Sequence, residues 1–158
     1  MFLNLLNFKL FRIPKNSAII IFQGGIGNQI FQYFLGIELK KKYNKDVFYY
    51  DIRRSYKNKH SSDLEKLFDL KLKKFNIKNV NLIIRFIFLS PLFLKINKFI
   101  FQKFSFRILP NLYFDDISKP LNLKEIKDNK NILIFFGTWH NLINKYEYLS
   151  KTKNLIFK

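Results

Sequence analysis

Between Gln23 and Tyr33 the sequence reads Gln-Gly-Gly-Ile-Gly-Asn-Gln-Ile-Phe-Gln-Tyr. Gly24, Gly25 and Gly27 keep the first part of this stretch free of Cβ atoms, so that backbone N–H groups can approach a sugar or a phosphate closely. Asn28 either caps a following helix or bonds a ligand, and Gln29 offers one donor-acceptor amide. A structural alternative stands beside this one: the glycines only let a buried strand turn sharply into a helix. Candidates for a general base are Asp51, Glu65, His60 and His140, by chemistry alone, and none is singled out. The absence of cysteine excludes a disulfide framework, a thiolate nucleophile and Cys-ligated zinc. The two histidines have no ligand spacing, which argues against a His-type metal site. Asp115-Asp116 lacks the spacing and company of a metal-sugar site and reads as a solvated turn.

Elements must position these groups. Ala18 to Phe22 is a continuous apolar run ended by glycines, which suits a strand buried on both faces of a parallel sheet. After the turn, Ile30, Phe34 and Ile37 mark one helical stripe, with Phe31, Leu35 and Leu39 beside it. Lys40-Lys41-Lys42 complement the dipole at that helix's carboxyl end. Val47 to Tyr50 is a second strand closing with Asp51. Strand, glycine turn, helix and strand make a βαβ unit and an α/β fold. Further on, Asp63 to Asp69 reads as a short helix with Leu64, Leu67 and Phe68 inward. Ile132 to Phe136 returns to strand character.

The chain has 158 residues, 48% of them hydrophobic, enough for a sizeable core. Its net charge of +18 favours anionic partners: nucleic acid, anionic lipid or phosphorylated small molecules. A composition rich in Lys, Asn, Ile and Phe is also what AT-rich coding produces, so charge alone selects no partner. The aromatics fall in apolar runs with core-like periodicity and no nucleic-acid module is recognisable, which speaks against a nucleic-acid partner. Residues 1–16 form an apolar and basic leader, either an interfacial anchor or a helix packed on the domain of residues 17–158. The stretch 82–109 reads as a basic amphipathic helical hairpin broken near Pro91. Either it attaches to an anionic membrane surface, or it covers the core with snorkelling Lys and Arg. Its most apolar part, Leu82 to Leu94, is too short for the ~20 residues of a membrane span.

Common glycine-loop motifs fail here. A dinucleotide fingerprint needs a third glycine where Ile30 stands, although Asp51 imitates the ribose-binding acid. No Gly-Lys-Ser/Thr follows the turn, so it is not a P-loop. Residues Gly24 to Tyr33 do resemble the G-G-L-G-N-Q-x-F-Q-Y signature of the alpha-1,2-fucosyltransferases, the family 11 glycosyltransferases, with Ile26 in place of Leu. Asp51, the segment Leu64-Glu65-Lys66-Leu67-Phe68 and the aromatic run Phe136-Gly137-Thr138-Trp139-His140 follow in the family's order. His140 stands where that family usually has Gln. The resemblance spans about Ala18 to Tyr148 and is broken by 82–109.

This resemblance implies transfer of fucose from GDP-fucose to a galactoside hydroxyl, with inversion and without a metal or cofactor. It implies Gly24, Gly25, Gly27, Asn28 and Gln29 as substrate-binding residues. The basic stretch 82–109 and the apolar leader predict a cytoplasmic protein that associates peripherally with the inner membrane face. The family's His-x-Arg-Arg-Gly-Asp-Tyr donor segment does not occur in these residues. The fold implied is therefore the Rossmann-like amino-terminal half of a GT-B-type transferase with 82–109 as an insertion, inactive without a carboxyl-terminal half. A non-catalytic remnant or a sugar- or partner-binding module is the alternative.

Overall fold

The computed structural model describes residues 14–51, 63–76, 90–104, 112–115, 126 and 132–139. His60, His140, Asp116, residues 1–13 of the leader and residues 82–89 and 105–109 of the basic stretch lie outside them.

Strand β1 is Ser17–Phe22, and all six of its residues are buried. Its unbroken apolar run needs cover on both faces, which a parallel sheet provides. Helix α1 (Ile26–Tyr43) follows the glycine turn and ends on Lys40, Lys41 and Lys42, with Asn44 left-handed at φ 49° as its carboxyl cap. Strand β2 is Asp46–Asp51. It pairs in parallel with β1, placing Phe22 opposite Asp51 at the carboxyl ends. The βαβ reading thus holds.

Strands β3 (Leu112–Phe114) and β4 (Leu133–Phe136) complete a four-stranded sheet in the order β2-β1-β4-β3. Every pairing is parallel. The fold is α/β. Strand β3 carries no usable sequence signal, because three residues, Leu-Tyr-Phe, are too few for a period to show.

The buried side of α1 keeps Phe34, Leu35 and Leu39 of the expected pattern and is rotated away from Ile30 and Ile37. Phe34, Leu35, Gly36 and Leu39 are buried, together with Gln29 and Gln32, whereas Ile30 and Ile37 are only half-buried. Gly36 explains the rotation. A Cβ there would overlap the Tyr49 hydroxyl and sit 3.1 Å from Ile20 Cδ1, so the helix backbone approaches the sheet closely here. Leu35 and Leu39 then fall beside Ile20, Tyr49, Phe135 and Trp139 in the main core.

Helix α2 (Asp63–Leu67) buries Leu64 and the following Phe68, but Leu67 is 45% exposed and does not face inward as expected. Residues 73–75 run beside β2: Tyr49 N–H donates to Lys73 O at 2.9 Å and Phe75 N–H to Tyr49 O at 2.8 Å. Helix α3 (Pro91–Phe104) begins at the proline, whose missing N–H costs nothing in a first turn. Pro91 thus starts a helix, and the other arm of the expected hairpin, residues 82–89, lies outside the described residues. No helix among the described residues is long and apolar enough to cross a membrane.

Candidate functional site

The glycine turn leaves β1 at its carboxyl end, where parallel α/β sheets bind ligands. Gly24 has φ +74°, a left-handed conformation that suits glycine, and a Cβ there would run into the Asn28 side chain. Gly25 is the amino-terminal cap of α1, extended at φ −75° and ψ −178°, and no side chain caps the helix through it. Asn28 therefore does not serve as the cap; it lies in the first turn, half-buried, against Gly24. The first turn carries no acidic residue. Gly24, Gly25 and Gly27 are exposed. Among the described residues no acidic side chain compensates the positive end of the α1 dipole, an arrangement that attracts an anion.

The glutamines beneath this turn are structural ties. Gln29 is fully buried; its Nε2 donates to Gly24 O and its Oε1 accepts from Leu64 N–H, both at 3.4 Å. It joins the glycine turn to the start of α2, and its amide faces inward. Gln32 is equally buried. Its Oε1 accepts from Gln23 N–H at 3.2 Å, and its Nε2 donates to Gly137 O at 2.7 Å and Gln23 O at 3.4 Å. One amide therefore laces the carboxyl ends of β1 and β4, supplying partners to backbone groups that leave the ladder there. Gln32 carried no assignment from sequence; its only signal is its place one turn after Gln29 on the same helix.

Beside it, the turn after β4 is fixed by Asp115. Its Oδ2 accepts from Thr138 Oγ1 at 2.7 Å, Thr138 N–H at 3.2 Å and Trp139 N–H at 2.6 Å. Asp115 is a half-buried clamp, which corrects the solvated-turn reading for this residue. A Cβ on Gly137, at φ +156°, would run into Asp115, so glycine is needed for this approach. Trp139 is held at φ 63°, a conformation costing a bulky residue about 1–2 kcal/mol. The Asp115 bonds and the packing of the indole on Phe135, with centroids 5.6 Å apart, hold it there. Among the described residues the buried Trp139 indole N–H meets no acceptor.

Of the base candidates, Asp51 ends β2 on the same carboxyl edge, half-buried. Glu65 is engaged at both oxygens: Oε1 accepts from Leu72 N–H at 3.1 Å, and Oε2 pairs with Lys74 at 2.6 Å. It braces the segment after α2. Among the described residues no three His, Cys, Asp or Glu side chains gather as metal ligands.

No family model, no curated protein and no solved structure matches this chain.

Proposed function

We propose that this chain supplies the Rossmann-like amino-terminal half of a GT-B-type glycosyltransferase of the alpha-1,2-fucosyltransferase kind. In this reading fucose passes from GDP-fucose to a galactoside hydroxyl without a metal. The observation that carries it is the glycine-rich amino end of α1, with no acidic residue in its first turn, at the carboxyl end of the interior strand β1. That end stabilises the negative charge that develops on a departing diphosphate. Backbone groups of Gly24, Gly25 and Gly27 and the amide of Asn28 make the contacts; Gln29 holds the turn in shape from below. A basic donor segment supplied outside these 158 residues completes the site, because bidentate Arg groups neutralise a diphosphate as Lys cannot. Holding donor and acceptor together is worth up to about 7–11 kcal/mol of barrier, most of which a half-site forfeits.

Work of this kind belongs at the cytoplasmic face of a membrane, where a peripheral, strongly cationic protein meets anionic lipid. The burial of Phe22, Tyr49, Tyr50, Tyr113 and Phe135 leaves those rings unavailable for stacking on bases and supports a reading without nucleic acid. A second reading, a non-catalytic sugar- or partner-binding module, is favoured by the inward-turned amides of Gln29 and Gln32. Titration with GDP, GDP-fucose and a galactoside separates the two. Weak GDP-fucose binding with no transfer, abolished by Asn28→Asp through added negative charge at the helix end, is the expected result. Galactoside binding without any affinity for GDP selects the module; steady turnover by this chain alone overturns the half-site.

A further inference from the structure

Helix α3 is built the wrong way round for a core helix. Leu92, Ile96 and Phe99, spaced four and three residues apart, form one stripe, and they are 67%, 44% and 60% exposed. On the opposite side Asn97 is 1% exposed, and its Nδ2 donates to Phe93 O at 2.9 Å, one turn back. The buried amide is thus satisfied by the helix itself, while three large apolar side chains face outward. Lys95 and Lys98 are exposed along one side of the stripe, and Lys103 Nζ stands 5.9 Å from the Phe99 ring centroid at its end. Between Asp69 and Asp115 the sequence has no Asp or Glu.

We propose that this face of α3 is a docking surface for an anionic lipid bilayer, with Leu92, Ile96 and Phe99 entering the headgroup–acyl boundary and Lys95 and Lys98 contacting lipid phosphates. An apolar stripe with lysines beside it and no acid is the pattern of a helix lying in an interface. The stripe runs over about 11 Å from Leu92 to Phe99 at 1.5 Å per residue, so the helix lies flat on the surface. Charge decides against the other occupants. A second copy would set Lys95 and Lys98 against their equivalents on a chain of net charge +18. Of the segments outside the described residues, 116–125 carries as many acids as cations and every other carries more Lys and Arg than Asp and Glu, so none brings the net negative charge that would complement this face. The docking surface specifies the peripheral membrane location proposed above and rests on it, but not on the transferase chemistry.

The test is sedimentation of the full chain with vesicles of phosphatidylcholine, alone or mixed with phosphatidylglycerol, at low and high salt. Binding to the anionic vesicles only, weakened by salt, is expected. Lys95→Gln with Lys98→Gln should lower the partition coefficient on the order of thirtyfold. Leu92→Ser, Ile96→Ser and Phe99→Ser together should lower it by at least about tenfold and shallow what binding remains. All these positions are exposed, and the emission of the single, buried Trp139 reports whether each variant has folded. Salt-sensitive binding unchanged by both sets of variants overturns the α3 surface while leaving the membrane location standing. Absence of binding to anionic vesicles, or equal binding to neutral ones, overturns both. A shift of oligomeric state in the variants, with vesicle binding unchanged, assigns the face to a second copy instead.

Discussion

Helices α1 and α3 treat polar and apolar side chains in opposite ways. In α1 the amides of Gln29 and Gln32 are fully buried, and each bonds backbone groups of other elements, so burial of polar atoms serves the sheet. In α3 the buried amide of Asn97 bonds, among the described residues, its own helix, and the large apolar side chains are exposed. A buried polar group that ties distant strands is part of the fold's framework, whereas an exposed apolar stripe marks a surface with work outside it. The position of a residue on a helix therefore does not by itself tell core from interface; the partners of its neighbours do.

Truncating the core should break α1's role most severely. Leu39 is fully buried among Ile20, Tyr49 and Phe135, so Leu39→Ala should cost about 3 kcal/mol of stability, read from denaturant midpoints followed by Trp139 emission. Next comes the polar tie. Gln32→Leu keeps the volume but leaves Gly137 O and the Gln23 backbone without their partner, a loss of about 2–3 kcal/mol by the same measurement. If Gln32→Leu proves neutral, the strands' ends are held by something other than this amide and the contrast with Asn97 collapses.

A titration sharpens the same contrast from within the core. Burial raises the pKa of Tyr49, whose hydroxyl donates to Tyr33 O at 3.2 Å, and the nearby Tyr33 adds to the rise. The folded state therefore keeps a proton that the unfolded chain gives up at its ordinary pKa of 10.0. Stability is unaffected below that pH and falls above it, by about 1.4 kcal/mol per pH unit. Tyr49→Phe should remove this slope. Burial lowers the pKa of Lys45, which acts in the opposite sense on approach to its ordinary 10.5, and Tyr33 keeps a weaker slope of its own. Only the difference between wild type and Tyr49→Phe isolates the tyrosine; parallel melting curves from pH 9 upward would show that its proton does not matter.

The smallest effect is expected on α3. Phe99→Ser should change stability by no more than about 0.5 kcal/mol, since the ring is exposed. A loss comparable to that of Leu39→Ala would show that Phe99 is buried in solution and would dissolve the distinction between the helices.

The sequence by itself determined the strand over Ala18 to Phe22, the glycine turn, helix α1, the second strand and the strand near residue 134, because each is a local pattern. An unbroken apolar run, a cluster of missing Cβ atoms and a basic helix end act within a few residues of themselves. It also marked Gly24, Gly25 and Gly27 as open backbone. What it did not contain were interactions between segments far apart. Gln32 was indistinguishable from a ligand amide until Gly137, 105 residues further along, came to meet it. Asp115 read as a solvated turn because its partners, Thr138 and Trp139, belong to another strand's end. Periodicity could not choose the buried face of α1, because the close approach of Gly36 to Tyr49 rotates it away from Ile30 and Ile37. Strand β3 exists only through its pairing with β4. The outward turn of Leu92, Ile96 and Phe99 is equally invisible locally, since the same spacing would serve a core helix. Tertiary structure alone decides which side of a helix has a sheet beneath it, and so which apolar stripe is left for a partner.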